Sequence, residues 1–259
     1  MAEAPLALDI KALSKRFGKL EAVSDLSLHV SCGEIYAFLG PNGAGKTTTI
    51  KSVVGLLQPE AGAITVYGHK VEPDALGFRR SLGYVADRPF LYDKLTAWEY
   101  LEFLAGVHKL KGWEEGAGRY LELFKLTPWR HQLIEGFSHG MRQKLVLTGA
   151  LIHVPKLLLV DEPMVGLDPR SVRDVKDLFG RLAAEGMGLF LSTHSLEMAS
   201  QVAHRIGILN HGKLVAEGTF AELQDMARRP GSTLEEVFLR LTEEEDGPAA
   251  GAAASAGTP

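Results

Sequence analysis

Apolar positions change their spacing several times along this chain, and each change marks an element. Leu6 to Leu13 alternates apolar and polar in part, as a strand with one buried face does. Lys15-Arg16-Phe17-Gly18-Lys19 predicts a turn with an exposed aromatic. Leu26 to Val30 alternates cleanly and predicts a strand of an antiparallel sheet. Ile35 to Leu39 is an uninterrupted apolar run, which predicts a buried strand. Thr47 to Leu57 has no Gly or Pro until Gly55 and predicts a helix. Gln58-Pro59-Glu60-Ala61-Gly62 breaks structure, and a short strand is expected from Ala63 to Gly68.

Farther along, the pattern turns helical. A short helix is expected over 73–80, then a short strand from Leu82 to Ala86 that ends at Asp87. From Thr96 the period becomes that of a helix: Trp98, Leu101, Leu104, Ala105 and His108 share one face, and Thr96 with Glu99 forms a capping box. A second helix is expected from Glu114 to Phe124, closed by Thr127-Pro128, so that residues 88–138 read as a helical insertion. Gly140 to His153 predicts a helix stopped near Pro155. Leu157 to Val160 is the clearest buried strand, and it ends on Asp161-Glu162. Pro169 opens a helix that runs to Ala184. Gly188 to Leu191 is a strand leading to Ser192-Thr193-His194. Arg205–Leu209 and Lys213–Ala216 form a hairpin around Asn210-His211-Gly212, and Leu234 to Leu241 is a last amphipathic helix. The domain therefore spans 6–242, and the acidic, then Ala/Gly-rich stretch 243–259 is expected to be a disordered tail.

Composition sharpens this picture in a few places. The 259 residues carry a net charge of −4, which gives no support for a broad nucleic-acid-binding face. The single cysteine, Cys32, rules out an intrachain disulfide and reads as a small turn or core residue. Met1 to Pro5 shows no basic and apolar leader pattern, and no run approaches the ~18 apolar residues that span a bilayer. A membrane role is thus expected to come through a separate partner.

The chemistry begins at Gly40-Pro41-Asn42-Gly43-Ala44-Gly45-Lys46-Thr47-Thr48, which fits G-x-x-x-x-G-K-[ST] between a predicted strand and a predicted helix. Gly43 and Gly45 let the backbone curl into a nest of N–H groups, which together with the helix N-terminus suits phosphate oxygens. Lys46 can reach the β- and γ-phosphates, and the Thr47 hydroxyl can ligate Mg²⁺. Such a loop needs a carboxylate at the end of a neighbouring strand to help hold magnesium, and Asp161 supplies one. Glu162 beside it could orient or deprotonate water. His194 falls at the carboxyl end of the next core strand, where open α/β sheets bind ligands, and could hydrogen-bond a γ-phosphate. The expected class is α/β: a P-loop NTPase core, an antiparallel β subdomain and a helical insertion subdomain.

Taken in order, these segments resemble the ATP-binding subunit of ABC transporters over nearly all of residues 6–242. Phe17 sits where that family places an aromatic that stacks on adenine. Gly40 to Thr48 is similar to its Walker A, Asp87 falls at its Q-loop, and Phe137-Ser138-His139-Gly140-Met141 resembles its signature segment. Leu157 to Asp161 resembles Walker B, with Glu162 as the general base; Gly166-Leu167-Asp168-Pro169 resembles the D-loop, and His194 the switch histidine. The resemblance implies Mg-ATP held between the P-loop of one subunit and Ser138, Gly140 and Met141 of another. It further implies a homodimer or a heterodimer with a second ATP-binding subunit, a separate transmembrane permease, and a place on the cytoplasmic face of the membrane.

Two segments depart from the family's usual pattern. Asp87 stands for the Q-loop glutamine; it is shorter and cannot donate as an amide does. Phe-Ser-His-Gly-Met stands for Leu-Ser-Gly-Gly-Gln. An acidic Q-loop residue, the Ser-x-Gly-Met signature and the ending Thr233 to Phe238 resemble the branch that exports drugs, polysaccharides or lipids. A soluble ABC-type ATPase acting on ribosomes or nucleic acid is the alternative. Such factors usually carry two cassettes or a long coiled-coil insertion, and this chain shows one P-loop and no basic character. A P-loop kinase fits less well, given the signature and D-loop segments.

Overall fold

The structure, a computed structural model, describes residues 6–243 except 73, 74, 88, 89, 163 and 165. β1 (Leu6–Phe17) and β2 (Leu20–Ser31) pair antiparallel and open the chain. The turn expected over 15–19 shrinks to Gly18 and Lys19, because cross-strand pairing continues through Lys15 with Val23, Arg16 with Glu21 and Phe17 with Leu20. Charge did not stop the strand: Arg16 and Glu21 face solvent and pair across it at 2.9 Å.

β3 (Ile35–Leu39) leads into α1 (Lys46–Val53), which ends four residues short of the expected helix. Gly55 adopts a left-handed φ of 76°, and the Leu56 N–H turns back to the Lys51 carbonyl at 2.8 Å, closing the helix. β4 (Ala61–Val66) and the two-residue β5 (His69–Lys70) complete a four-stranded antiparallel sheet in the order β2-β1-β4-β5.

α2 (Leu76–Ser81) begins inside the span expected for it, whose first residues, 73 and 74, lie outside the described ones. β6 (Leu82–Val85) follows, and then the helical insertion: α3 (Ala97–His108), α4 (Trp113–Leu123) and two short 3-10 turns at Thr127–Trp129 and Ile134–Gly136. The Thr96–Glu99 capping box is present as expected. The remaining elements are α5 (His139–Leu151), β7 (Leu157–Asp161), α6 (Pro169–Ala184), β8 (Gly188–Thr193), α7 (Leu196–Val202), β9 (Arg205–Asn210), β10 (Lys213–Gly218), α8 (Phe220–Met226) and α9 (Leu234–Glu243). The tail expected to be disordered lies, beyond Glu243, outside the described residues.

β6, β7, β8, β3 and β9 are parallel neighbours in a six-stranded sheet, and β10 adds an antiparallel edge beside β9. β3, β7 up to Val160 and β8 up to Leu191 read as apolar runs because both of their faces are covered. Tyr36, Phe38 and Phe190 point toward the antiparallel sheet and are wholly buried, with ring centroids 5.6 and 5.2 Å from Phe190. Ala37 and Leu39 point the other way, onto residues of α7, α8 and α9. Leu158, Val160, Leu189 and Leu191 pack with the helical insertion, α5 and α6. The carboxyl ends of β3, β7 and β8 are thereby fixed side by side. Among the described residues, no helix is long and apolar enough to cross a membrane.

Candidate active site

Three strand ends build the site. β3 ends at Leu39, and the next residues form the loop 40–45 into α1. Gly45 has φ 109°, and a Cβ there would lie 2.3 Å from the Ala22 carbonyl oxygen, so only glycine passes under β2 at this point. The loop is also tied to the far hairpin: the Gly212 N–H donates to the Ala44 carbonyl at 2.9 Å, and the Ser24 N–H to Gly212 at 2.9 Å. Lys46 is buried, and its Nζ donates to the carbonyls of Gly40 at 2.5 Å and Pro41 at 3.1 Å. Burial pushes its ammonium down, and the charges of Glu162 and Asp161 push it back up. A cleft of about 330 Å³ beside the loop is lined by Phe17, Leu20, Asn42, Lys46, Thr47 and His211, among others. Leu20 and His211 are members that the sequence pattern did not reveal. His211 arrives from the β9–β10 turn, which the Gly212 N–H ties to the loop at the Ala44 carbonyl.

β7 and β8 supply the acidic half. Asp161, paired with Ser192 across the two strands, is 6 % exposed. Burial pushes its carboxyl above the usual aspartate value; Ser192 and Lys46 oppose, whereas the charges of Glu162 and Asp87 add to the rise. A buried anion held up in this way is one that a hard dication would relieve, so the chemistry of Asp161, with the Thr47 hydroxyl of the loop, fits magnesium. Glu162 is largely buried and sits at a left-handed φ of 53°. Its Oε2 accepts from Thr193 Oγ1 at 3.1 Å; its Oε1 accepts from the His194 N–H at 3.1 Å and lies 2.7 Å from His194 Nδ1. Thr193 is a further participant that the sequence reading passed over.

The remaining candidates form a second group. Ser138 caps α5, its hydroxyl accepting from the Met141 N–H at 3.3 Å. Gly140 lies against the 166–167 turn. Asp168 caps α6, accepting from Arg170 N–H at 3.0 Å, from Ser171 N–H at 3.1 Å and from the Ser171 hydroxyl. The Ser171 hydroxyl and amide, with the Arg170 amide and the Lys144 charge, bring its carboxyl down to about 2. None of Ser138, His139, Gly140 and Met141 lines the cleft beside Lys46. Asp161, Glu162 and His194 lie outside that lining too, but the charges of Asp161 and Glu162 reach Lys46, so these acidic residues group with the loop, whereas Gly140 of the other group lies against the 166–167 turn.

A glycine-rich loop on a parallel sheet, a buried lysine and an Asp-Glu pair at the end of β7, two strands over, define the P-loop NTPase class. Residues 23–165 match the family model described as ABC transporter. The chain is 37% identical over 221 residues to the bacitracin transport ATP-binding protein BcrA of Bacillus licheniformis, covering 84% of this chain and 71% of that one. It is 37% identical over 225 residues to the daunorubicin/doxorubicin resistance ATP-binding protein DrrA of Streptomyces peucetius, covering 84% of this chain and 67% of that one. A solved ATP-binding subunit of an ABC transporter superposes with a TM-score of 0.87 at 33% identity, covering 91% of this chain and 99% of that chain. The chain belongs to the ABC transporter family. It is an ATP-binding subunit and an ATPase of that family.

Proposed function

We propose that this chain hydrolyses Mg-ATP between two protomers to power outward transport through a separate permease. Lys46 and the N–H groups of the loop 40–48 would hold the triphosphate, and Phe17 would stack on the adenine. Thr47 and Asp161 would ligate the magnesium, which when bound supplies neutralising charge to the phosphates. Ser138, Gly140 and Met141 of a second subunit would close on the γ-phosphate from the N-terminus of their helix. Glu162 would take a proton from the attacking water, and His194 would hold that carboxylate and contact the γ-phosphate. Asp87 and Asp168 would lie at the margins of the same nucleotide.

The observation that carries this reading is the separation of the two groups. The signature segment lies at the N-terminus of α5 outside the cleft of its own protomer, with no charge link to Lys46 such as Asp161 and Glu162 have, which supports a second subunit as its source. A homodimer and a heterodimer both supply one. Differential affinity of ATP for the closed pair is what would do work on the permease. The permease contact is supported by a chain of exposed aromatics after Asp87: Phe90 and Tyr92 meet edge to face at 5.5 Å, and Tyr92 and Phe103 at 5.6 Å. Relatives named for bacitracin transport and daunorubicin resistance support export, and a place on the cytoplasmic face of the membrane accords with it.

The experiment is Glu162→Gln with Mg-ATP. Turnover should fall on the order of 10²–10⁴-fold, the range of a general base, while a nucleotide-bound dimer accumulates in sedimentation and disperses on adding EDTA. Wild-type turnover, or a monomer at saturating Mg-ATP, would overturn the proposal.

A further inference from the structure

α8 closes with an arginine where helices of its kind usually have glycine. The Arg228 N–H donates to the Asp225 carbonyl at 3.0 Å and the Arg229 N–H to the Gln224 carbonyl at 3.0 Å, the paired bonds of a Schellman ending. Arg228 occupies the left-handed position of that ending, at φ 53°. Glycine takes this backbone freely, and a residue with a Cβ does not. The Arg228 side chain makes no ion pair and no hydrogen bond among the described residues, and neither does that of Arg229. A strained position kept for a side chain that holds nothing in the fold calls for a role outside the fold. The loop that follows is closed on itself. The Ser232 N–H and hydroxyl both donate to the Arg229 carbonyl, at 3.2 and 2.7 Å, and Gln224 Nε2 donates to the Ser232 carbonyl at 2.7 Å. Arg240 comes toward it from the last turn of α9. Leu223, Ala227, Leu234 and Val237 fix both helices in the core beside Ala37 and Leu39 of β3.

Arg228, Arg229 and Arg240 thereby line one cleft of about 520 Å³ together with Met226 and Ala227, and no carboxylate belongs to that lining among the described residues. In a chain of net charge −4, three guanidiniums on one cleft are a local excess of positive charge. Guanidinium forks match phosphate oxygens in shape as well as in charge. We infer that this cleft between α8 and α9 is a second anion site, separate from the loop 40–48, and that it binds a phosphate group. The loop is already closed by its own hydrogen bonds, so binding needs little ordering of the backbone. A soluble phosphate-bearing molecule and a phospholipid headgroup offer the same chemistry to the cleft, and they are told apart by experiment.

The test uses the full chain carrying Lys46→Ala, so that the loop 40–48 competes less for phosphate. Pyrophosphate is titrated by calorimetry without magnesium. In parallel, vesicles of phosphatidylglycerol in phosphatidylcholine are compared with pure phosphatidylcholine by flotation. Binding of pyrophosphate supports a soluble ligand, and retention on the phosphatidylglycerol vesicles alone supports a headgroup. Adding Arg228→Gln and Arg229→Gln together should weaken whichever binding is seen by about tenfold or more, the scale of lost charge-assisted hydrogen bonds. Arg228→Gly should weaken it as well, while the melting temperature holds or rises, because the backbone there favours glycine. That variant separates the guanidinium from the fold. A melting temperature lowered by Arg228→Gly assigns the side chain to stability and overturns the inference. So does equal binding with and without the two glutamines, or binding of neither pyrophosphate nor phosphatidylglycerol vesicles.

Discussion

His194 Nδ1 lies 2.7 Å from Glu162 Oε1, and the backbone N–H of the same histidine donates to the same oxygen at 3.1 Å. With Thr193 Oγ1 on the other oxygen, Glu162 is held at both ends by the carboxyl terminus of β8. Its backbone sits in the left-handed region, which a glutamate adopts only when its surroundings hold it there. The carboxylate is therefore aimed by three donors rather than by its own rotamer. His194, with a largely exposed ring, can be removed without opening a core cavity. His194→Ala should lower the maximal rate on the order of tenfold or more, while leaving nucleotide affinity alone, because the base loses its aim and not its charge. Steady-state kinetics beside an analogue titration checks this; a matching loss of affinity would assign His194 to binding instead.

Lys46 gives the second prediction. Its ammonium is buried and satisfied by the carbonyls of Gly40 and Pro41, facing Asp161 and Glu162 by charge. Charge-assisted hydrogen bonds are worth roughly 1.5–3 kcal/mol, so Lys46→Ala should weaken ATP binding about ten- to a hundredfold. Titration of the variant by calorimetry decides it, and unchanged affinity would count against the phosphate role of the loop.

Much of this was legible in the residues themselves. β3 and all but the polar ends of β7 and β8 are apolar, and the G-x-x-x-x-G-K-T spacing and the Asp161-Glu162 pair announce their chemistry. Local rules failed where tertiary contacts decide. Lys15 and Arg16 suggested a turn, yet pairing with β2 draws them into a strand. α7, at seven residues, is too short to show a period, and its Ser195 cap is its main signal. α8 does carry a readable sign in its residues, the Thr219–Glu222 capping box. His211 could not have been placed, since its position depends on a turn bonded to a loop about 170 residues away in sequence.

Phe17 gives the third prediction. Its ring is 48 % exposed at the end of β1, on the wall of the cleft that holds Lys46, with Lys15 Nζ 5.8 Å from the ring centroid. Stacking on adenine is worth ~1 kcal/mol, so Phe17→Ala should weaken ATP about fivefold and leave inorganic triphosphate untouched. Competition assays with both ligands make the comparison; equal losses would contradict stacking.

His153 gives the last, a prediction about pH. Its ring stacks on His108 of the helical insertion at 4.1 Å and 12°, and its Nε2 lies 3.0 Å from the Leu82 carbonyl of β6. With Nε2 donating to that carbonyl, Nδ1 is buried without a partner and the neutral ring is the comfortable one. Burial first, and His108 second, bring its pKa from 6.5 down to about 4, against the pull of the Leu82 carbonyl. The unfolded chain therefore binds the proton first. Above pH 6.5 the contribution to stability is intact, and it is lost as pH falls toward 4. His108, shifted down by burial, acts in the same direction, so the useful comparison is between the parent and His153→Gln. Glutamine can still donate to Leu82 but does not titrate. Melting temperature measured in steps from pH 7 to pH 4 should fall less steeply for the variant. Parallel slopes for the two proteins would show that this ring does not carry the acid sensitivity of the joint between insertion and core.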